Sequence, residues 1–213
     1  MPLDRPAVTV NCAASIDGKI STVRRRRIGI SDATDIKRVM GIREEHDAVA
    51  VGVGTILADD PSLTSGREGK GSKCVKIVFD SRGRTPADAK VLKGGRTYII
   101  TSSSCSKIIG NAVMLRCGER KVDISKAMNL LYREGIRSVL VEGGGEIIFE
   151  LARLGLVDRL LVYTSPVIIG GRDAPTLADG EGFKDESDFA RFSLVSVGRA
   201  GEGILSEYER RSV

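Results

Sequence analysis

The chain has 213 residues, 41% apolar and 29% charged, which is ordinary globular usage and excludes intrinsic disorder. Lys and Arg number 33 against 28 Asp and Glu, so a net charge of +5 accommodates an anionic ligand without demanding nucleic acid. The single histidine, His46, excludes a multi-histidine metal centre and a zinc deaminase set.

Four cysteines without a Cys-x-x-Cys spacing read as reduced thiols, and no segment approaches the ~18 apolar residues of a membrane span. The expectation is a soluble, cytoplasmic chain with no metal and no membrane partner, forming a single domain over 1–213.

Ala7 to Ala14 is short and apolar and runs into a Ser15-Ile16-Asp17-Gly18 turn, the pattern of a buried first strand. Ser31 and Asp32 can cap a helix over 32–45, whose inward face would be Ile36, Val39, Met40 and Arg43. Strands follow at 47–51, 74–79, 97–101 and near 112–115. A helix capped by Asp123 buries Ile124, Ala127, Met128 and Leu131 and closes at Gly135. Ser138 to Glu142 is a strand, Gly143-Gly144-Gly145 a turn, and Ile147, Ile148, Leu151 and Ala152 the stripe of another helix. Leu160–Tyr163, Val167–Ile169, Ser193–Val197 and Ile204–Tyr208 read as further strands. Apolar runs without alternation indicate strands covered on both faces. The fold class is therefore α/β, a mostly parallel central sheet with helices on both faces and an antiparallel C-terminal element.

Glu142-Gly143-Gly144-Gly145-Glu146 joins a buried strand to a helix whose first N–H groups can bind an anion, although the same residues also suit a plain tight turn. Gly52-Val53-Gly54-Thr55 is a second strand-to-loop junction, where Thr55 can cap a helix and Asp59 can meet a ligand hydroxyl or amide. Ser81 and Ser102 sit at strand ends, where open α/β sheets bind ligands. Arg24 to Arg27 is either a solvated charge run or a phosphate grip. His46 reads as a helix-end histidine.

Taken together, Ala14-Ser15-Ile16-Asp17-Gly18-Lys19, Arg43, Val51-Gly52-Val53-Gly54-Thr55, Asp59-Asp60-Pro61-Ser62-Leu63-Thr64, Phe79-Asp80-Ser81, Val141-Glu142-Gly143-Gly144-Gly145 and Pro166 with Gly170-Gly171 and Ala174-Pro175 resemble a known family over nearly the whole chain. It is the archaeal-type reductase of riboflavin biosynthesis that acts on 2,5-diamino-6-ribosylamino-4(3H)-pyrimidinone 5′-phosphate, similar to the reductase half of bacterial bifunctional deaminase/reductases. The lack of a zinc-ligand set agrees with a stand-alone reductase.

The resemblance implies a dihydrofolate-reductase-like fold, a homodimer, NADPH as hydride donor and a phosphorylated ribosylaminopyrimidine as substrate. By motif it assigns Ala13, Ala14, Thr55, Asp59, Ser81, Gly143, Gly144, Gly145 and Glu146 to the cofactor. Asn11, Arg43, Leu63 and Glu142 go to the substrate, and Arg67 to its phosphate. Glu142 and Asp59 are the candidate catalytic carboxylates. Glu146 stands where the family has Thr or Ser, so only its backbone N–H fits an anion. Rival readings are another NADPH reductase of the same fold, the same reduction on the deaminated pyrimidine, and a basic nucleic-acid-binding module, which the aromatic content of 4% disfavours.

Overall fold

A computed structural model describes residues 4–26, 28–64 and 74–211; Arg27, Arg67 and the stretch 66–73 lie outside them. In chain order the described residues form β1 (Ala7–Ser15), α1 (Ala33–Glu44), β2 (Ala48–Gly52), α2 (Val53–Asp59), β3 (Val75–Phe79), β4 (Thr97–Thr101), β5 (Val113–Arg116), α3 (Ile124–Arg133), β6 (Ser138–Val141), α4 (Gly145–Arg153), β7 (Arg159–Ser165), β8 (Phe192–Ala200) and β9 (Gly203–Arg210). None of the helices among them is long and apolar enough to cross a membrane. The chain divides into two compact units, the first made of the residues up to Ala7 with Met40–Val141, the second of Val8–Val39 with the residues from Glu142 onward.

In the first unit the strand order is β5-β4-β3-β2-β6 and every pairing is parallel. Ala48 to Val51, Ile77 to Phe79 and Tyr98 to Ile100 are all buried, as uninterrupted β-branched and apolar runs require when both faces of a strand are covered. Val49, Val51, Ile56, Leu63, Val78, Ile99 and Leu140 belong to one core cluster. Helix α3 forms as its pattern predicts. Asp123 caps it by accepting from the Lys126 N–H at 3.0 Å, and Ile124, Ala127, Met128 and Leu131 are buried. At its end Gly135, at φ 89°, lets the Gly135 and Ile136 N–H groups return to the carbonyls of Tyr132 and Leu131.

In the second unit β1 pairs with β7 in parallel, and β7, β9 and β8 follow antiparallel, with a bulge between Leu194 and Ser196. Counting the strand pairings of both units, most are parallel and the antiparallel ones are confined to the C-terminal β7, β9 and β8, as expected. Helix α4 buries Ile147, Ile148, Phe149 and Leu151. The Phe149 ring meets Phe183 edge-on at 5.1 Å, beside an apolar cavity of about 190 Å³.

Three local expectations are corrected. Helix α1 does not bury Ile36 and Met40, which are 48% and 45% exposed; its most buried residue is Asp35, and the inward stripe is turned by one residue to Asp35, Arg38, Val39 and Ile42. Val167–Ile169 is not a strand, because the Asp17 carboxylate captures the Ile169 and Gly170 N–H groups that a ladder would need. Thr55 caps no helix: the N-cap of α2 is Gly52, three residues earlier, since Val53 and Ile56 gain burial by continuing from β2 straight into a helix.

Candidate active site

Each candidate residue follows from the element that carries it. In the second unit β1 alternates, so Asn11, Ala13 and Ser15 share one face, and Val10, Cys12 and Ala14 the other. Asn11 and Ala14 are buried and Ala13 half-buried. The Asn11 Oδ1 accepts from the Arg38 Nη2 of α1 at 2.8 Å.

Beyond β1, Ser15 Oγ donates to Asp17 Oδ1 at 2.6 Å, and Asp17 also accepts from the Ile169 and Gly170 N–H groups at 3.0 and 2.7 Å. The Ser15 hydroxyl first, then those two amides, hold the Asp17 carboxyl down at about 2. Lys19 Nζ donates to the Ala174 carbonyl at 3.1 Å. Much of the Ser15-to-Lys19 motif therefore ties the turn after β1 to the segment 169–174.

Glu142 is half-buried and opens the loop to α4, where Gly143 and Gly144 adopt φ 144° and 88°, conformations that favour glycine. Gly145 has a different reason to lack a side chain. A Cβ there would lie 2.8 Å from the Asp179 amide nitrogen and the Thr176 carbonyl oxygen. The turn 176–179, closed by Thr176 N–H and Oγ1 donating to Asp179 Oδ1 at 3.0 and 2.8 Å, packs directly on the start of the helix. An anion would therefore have to approach through Gly143 and Gly144 rather than over Gly145. Glu146 is exposed in the first turn of α4.

In the first unit Thr55 and Asp59, both half-buried, are four residues apart on one face of α2. Asp60 ends that helix at φ 41° and its carboxylate accepts from the Lys90 N–H at 2.8 Å. Arg43 Nη1 donates to the Thr64 carbonyl at 2.8 Å, which brings the expected guanidinium beside Leu63. Leu63 itself is 2% exposed in the core cluster at φ 52°, so what it offers a ligand is backbone.

Ser81 follows β3, its Oγ accepting from the Val122 N–H at 3.1 Å and its carbonyl accepting from Ser102 Oγ at 2.8 Å. With Arg82, Ser102, Ser104, Cys105, Ser106 and Lys107 it lines a cavity of about 260 Å³. The cavity lies beyond the carboxyl ends of parallel β3 and β4, where α/β sheets hold ligands. Hydroxyls and two cations make it complementary to a phosphate. Beside it, Asp80 is buried with Oδ2 accepting from Thr85 N–H and Oγ1, at 2.7 and 2.8 Å. Asp80 Oδ1 and Thr101 Oγ1 have no partner among the described residues.

Two features escaped the sequence reading. Ser104 to Lys107 belongs to no expected motif, and only its position after a buried strand marked it. Asp35 and Arg38 were hidden because a charged pair in a helix reads as surface.

A family model described as the RibD C-terminal domain matches residues 6–206. Two proteins named 2,5-diamino-6-ribosylamino-4(3H)-pyrimidinone 5′-phosphate reductase are similar along their length. That of Archaeoglobus fulgidus is 39% identical over 94% of this chain and 96% of its own, and that of Methanothermobacter thermautotrophicus 37% identical over 96% and 98%. Among solved structures, a diaminohydroxyphosphoribosylaminopyrimidine deaminase/5-amino-6-(5-phosphoribosylamino)uracil reductase from Thermotoga maritima superposes with a TM-score of 0.80 at 27% identity. The match covers 97% of this chain and 57% of that protein. The Saccharomyces cerevisiae riboflavin biosynthesis reductase Rib7 shares the fold with a TM-score of 0.78 at 20% identity, over 99% and 92% of the two chains.

Proposed function

Because the chain belongs to the RibD C-terminal domain family, we propose that it reduces 2,5-diamino-6-ribosylamino-4(3H)-pyrimidinone 5′-phosphate with NADPH, as a cytoplasmic homodimer whose whole length serves as one reductase domain. The chain is a reductase of the riboflavin pathway. The observation that carries the cofactor assignment is the serine-lined cavity with Arg82 and Lys107, whose donors suit the additional phosphate that distinguishes NADPH from NADH.

The cofactor, when bound, supplies a hydride to the anomeric carbon of the opened ribosylamino group. The protein's own contribution is placement. In the first unit Ser81 holds the phosphate-bearing end of the cofactor, and Thr55 and Asp59 offer a hydroxyl and a carboxylate to its ribose and amide groups. Arg43 and the Leu63 backbone serve the substrate, with Arg67 taking its phosphate. In the second unit Ala13 leaves room for a flat ring on its face of β1, Ala14 offers the cofactor only backbone, and a pyrophosphate reaching the loop through Gly143 and Gly144 meets the N–H groups there. Asn11 and Glu142 bind the pyrimidine or ribose. Glu142 and Asp59 are the carboxylates able to hold or pass a proton.

A second copy of the chain is the partner that covers β8. Among the described residues this strand pairs only with β9, and Leu194, Val195 and Val197 on it are 57%, 51% and 61% exposed.

Replacing Ser81 and Lys107 by alanine tests the cofactor assignment. NADPH affinity should fall by about ten-fold or more while NADH affinity stays put, the loss expected for charge-assisted hydrogen bonds to one phosphate. A wild-type protein that prefers NADH would overturn the assignment. The name of the Thermotoga relative favours a second substrate, the deaminated pyrimidine, and assays with both compounds distinguish the two.

A further inference from the structure

Two polar atoms of the second unit, Asp35 Oδ2 and Arg38 Nη1, are buried without a hydrogen-bond partner among the described residues. Both belong to one relay. Asp35, fully buried in the first turn of α1, accepts at Oδ1 from Arg38 Nε at 2.8 Å and from Arg38 Nη2 at 2.6 Å. The same Nη2 donates to Asn11 Oδ1 on β1 at 2.8 Å. As a stabilising device this arrangement is poor, because burying an ion pair costs desolvation that orphaned atoms do not return.

Its effect on Asn11 is specific. A guanidinium has donors and no acceptor, so the Asn11 atom facing it must be the carbonyl oxygen. The amide is thereby prevented from turning over, and its NH₂ donates to no described residue. It is a donor held in one direction on a strand face it shares with Ala13. Asparagine alone would present either end to a ligand; asparagine held by arginine presents only the donor.

We infer that Asp35 and Arg38 are positioning residues that fix the Asn11 amide so that it donates to an acceptor oxygen of the pyrimidine substrate. The inference rests on the reading of Asn11 as a substrate-facing residue. It requires an oxygen acceptor, a ring carbonyl or a sugar hydroxyl, at that point of the ligand, and a group with only hydrogens to offer there would be rejected.

Orientation, unlike charge or packing, separates three variants. Arg38→Lys keeps a donor-only group against Asn11. The double variant D35N/R38Q removes both charges, avoids a stranded carboxylate and supplies an amide that can accept as well as donate. Asn11→Asp keeps the contact with Arg38 and removes the donor. The substrate KM should rise about ten-fold in D35N/R38Q and at least as much in N11D, the loss of about one hydrogen bond. R38K should stay within about three-fold of wild type, and the NADPH Kd should hold within about two-fold throughout. An unchanged KM in D35N/R38Q, or KM and NADPH Kd rising together, would overturn the inference.

If the wild type turns over neither pyrimidine, it is the proposed function that has failed. The orienting role is then read directly from the side-chain NH₂ signals of Asn11 by NMR. A single sharp pair is expected in wild type and R38K and an averaged or shifted pair in D35N/R38Q. Identical pairs in all three would overturn the lock.

Discussion

Gly145→Ala should destabilise the protein even though it places a better helix former in a helix. The new Cβ would stand 2.8 Å from two backbone atoms, the Asp179 nitrogen and the Thr176 oxygen, and 2.9 Å from the Asp179 carboxyl carbon. Ordinary contact requires the 176–179 turn to retreat by roughly half an ångström. That turn is fixed by two hydrogen bonds from Thr176 to Asp179, so it does not yield freely. Overpacking of this kind costs about 1–3 kcal/mol, against which alanine recovers up to about 1 kcal/mol of helix propensity. From the middle of that range the net loss is about 1–2 kcal/mol, a fall in Tm of roughly 2–8 °C for a domain of this size.

Gly54→Ala, in α2, is the control: a Cβ there meets nothing within 4 Å, and the variant should melt at or slightly above the wild type. Thermal melts followed by circular dichroism, with protein concentration fixed, give both values. If Gly145→Ala melts as the wild type does, the turn does not press on α4, and the glycine is free for a ligand to approach after all.

Acid should unfold the protein partly through Asp17 and Asp32. Asp17 is held at about 2 by Ser15 and the amides of Ile169 and Gly170. Asp32 is lowered by the Glu202 and Asp35 amides. A depressed carboxylate stabilises fully above its ordinary value near 4, and the contribution disappears as pH falls through the folded value. Stability should therefore decline between about pH 4 and pH 2, with a shallower decline in Asp17→Asn; equal slopes would show that these bonds do not carry the effect. Leu131→Ala, at a fully buried position of α3, should cost about 2–5 kcal/mol in urea unfolding, and less than about 1 kcal/mol would mean the first-unit core is loosely packed there. Val197→Glu should convert a dimer to monomers in sedimentation, and dimers that persist would move the interface off β8.

The legible parts of the chain were those where side-chain type and backbone agree. The buried runs at Val49–Val51 and Ile77–Phe79 could be nothing but covered strands, and Asp123 and Gly135 bracket α3 with the chemistry its ends require. Helix α1 misleads a reading of the sequence because its pattern is nearly unbiased. Ile36 and Met40 suggested an apolar face, yet the inward side is taken by an ion pair whose partner, Asn11, lies 27 positions from Arg38. Val167–Ile169 has strand-like residues but loses its amides to a carboxylate some 150 positions earlier, a contact no local pattern carries. The same distance effect governs Gly145, whose small size answers to Thr176 and Asp179 rather than to its own loop. Motif order gave the family; which atoms within each motif stay available to a ligand became visible only with the structure.

Whether the chain is this reductase is decided by the absorbance of reduced nicotinamide after adding enzymatically made 2,5-diamino-6-ribosylamino-4(3H)-pyrimidinone 5′-phosphate, with its deaminated counterpart and dihydrofolate in parallel. Rapid NADPH oxidation with the undeaminated pyrimidine, slow or none with the other two, and product carrying a ribityl chain is the predicted result. NADPH bound but not oxidised by either pyrimidine, or oxidised only by dihydrofolate, would contradict it.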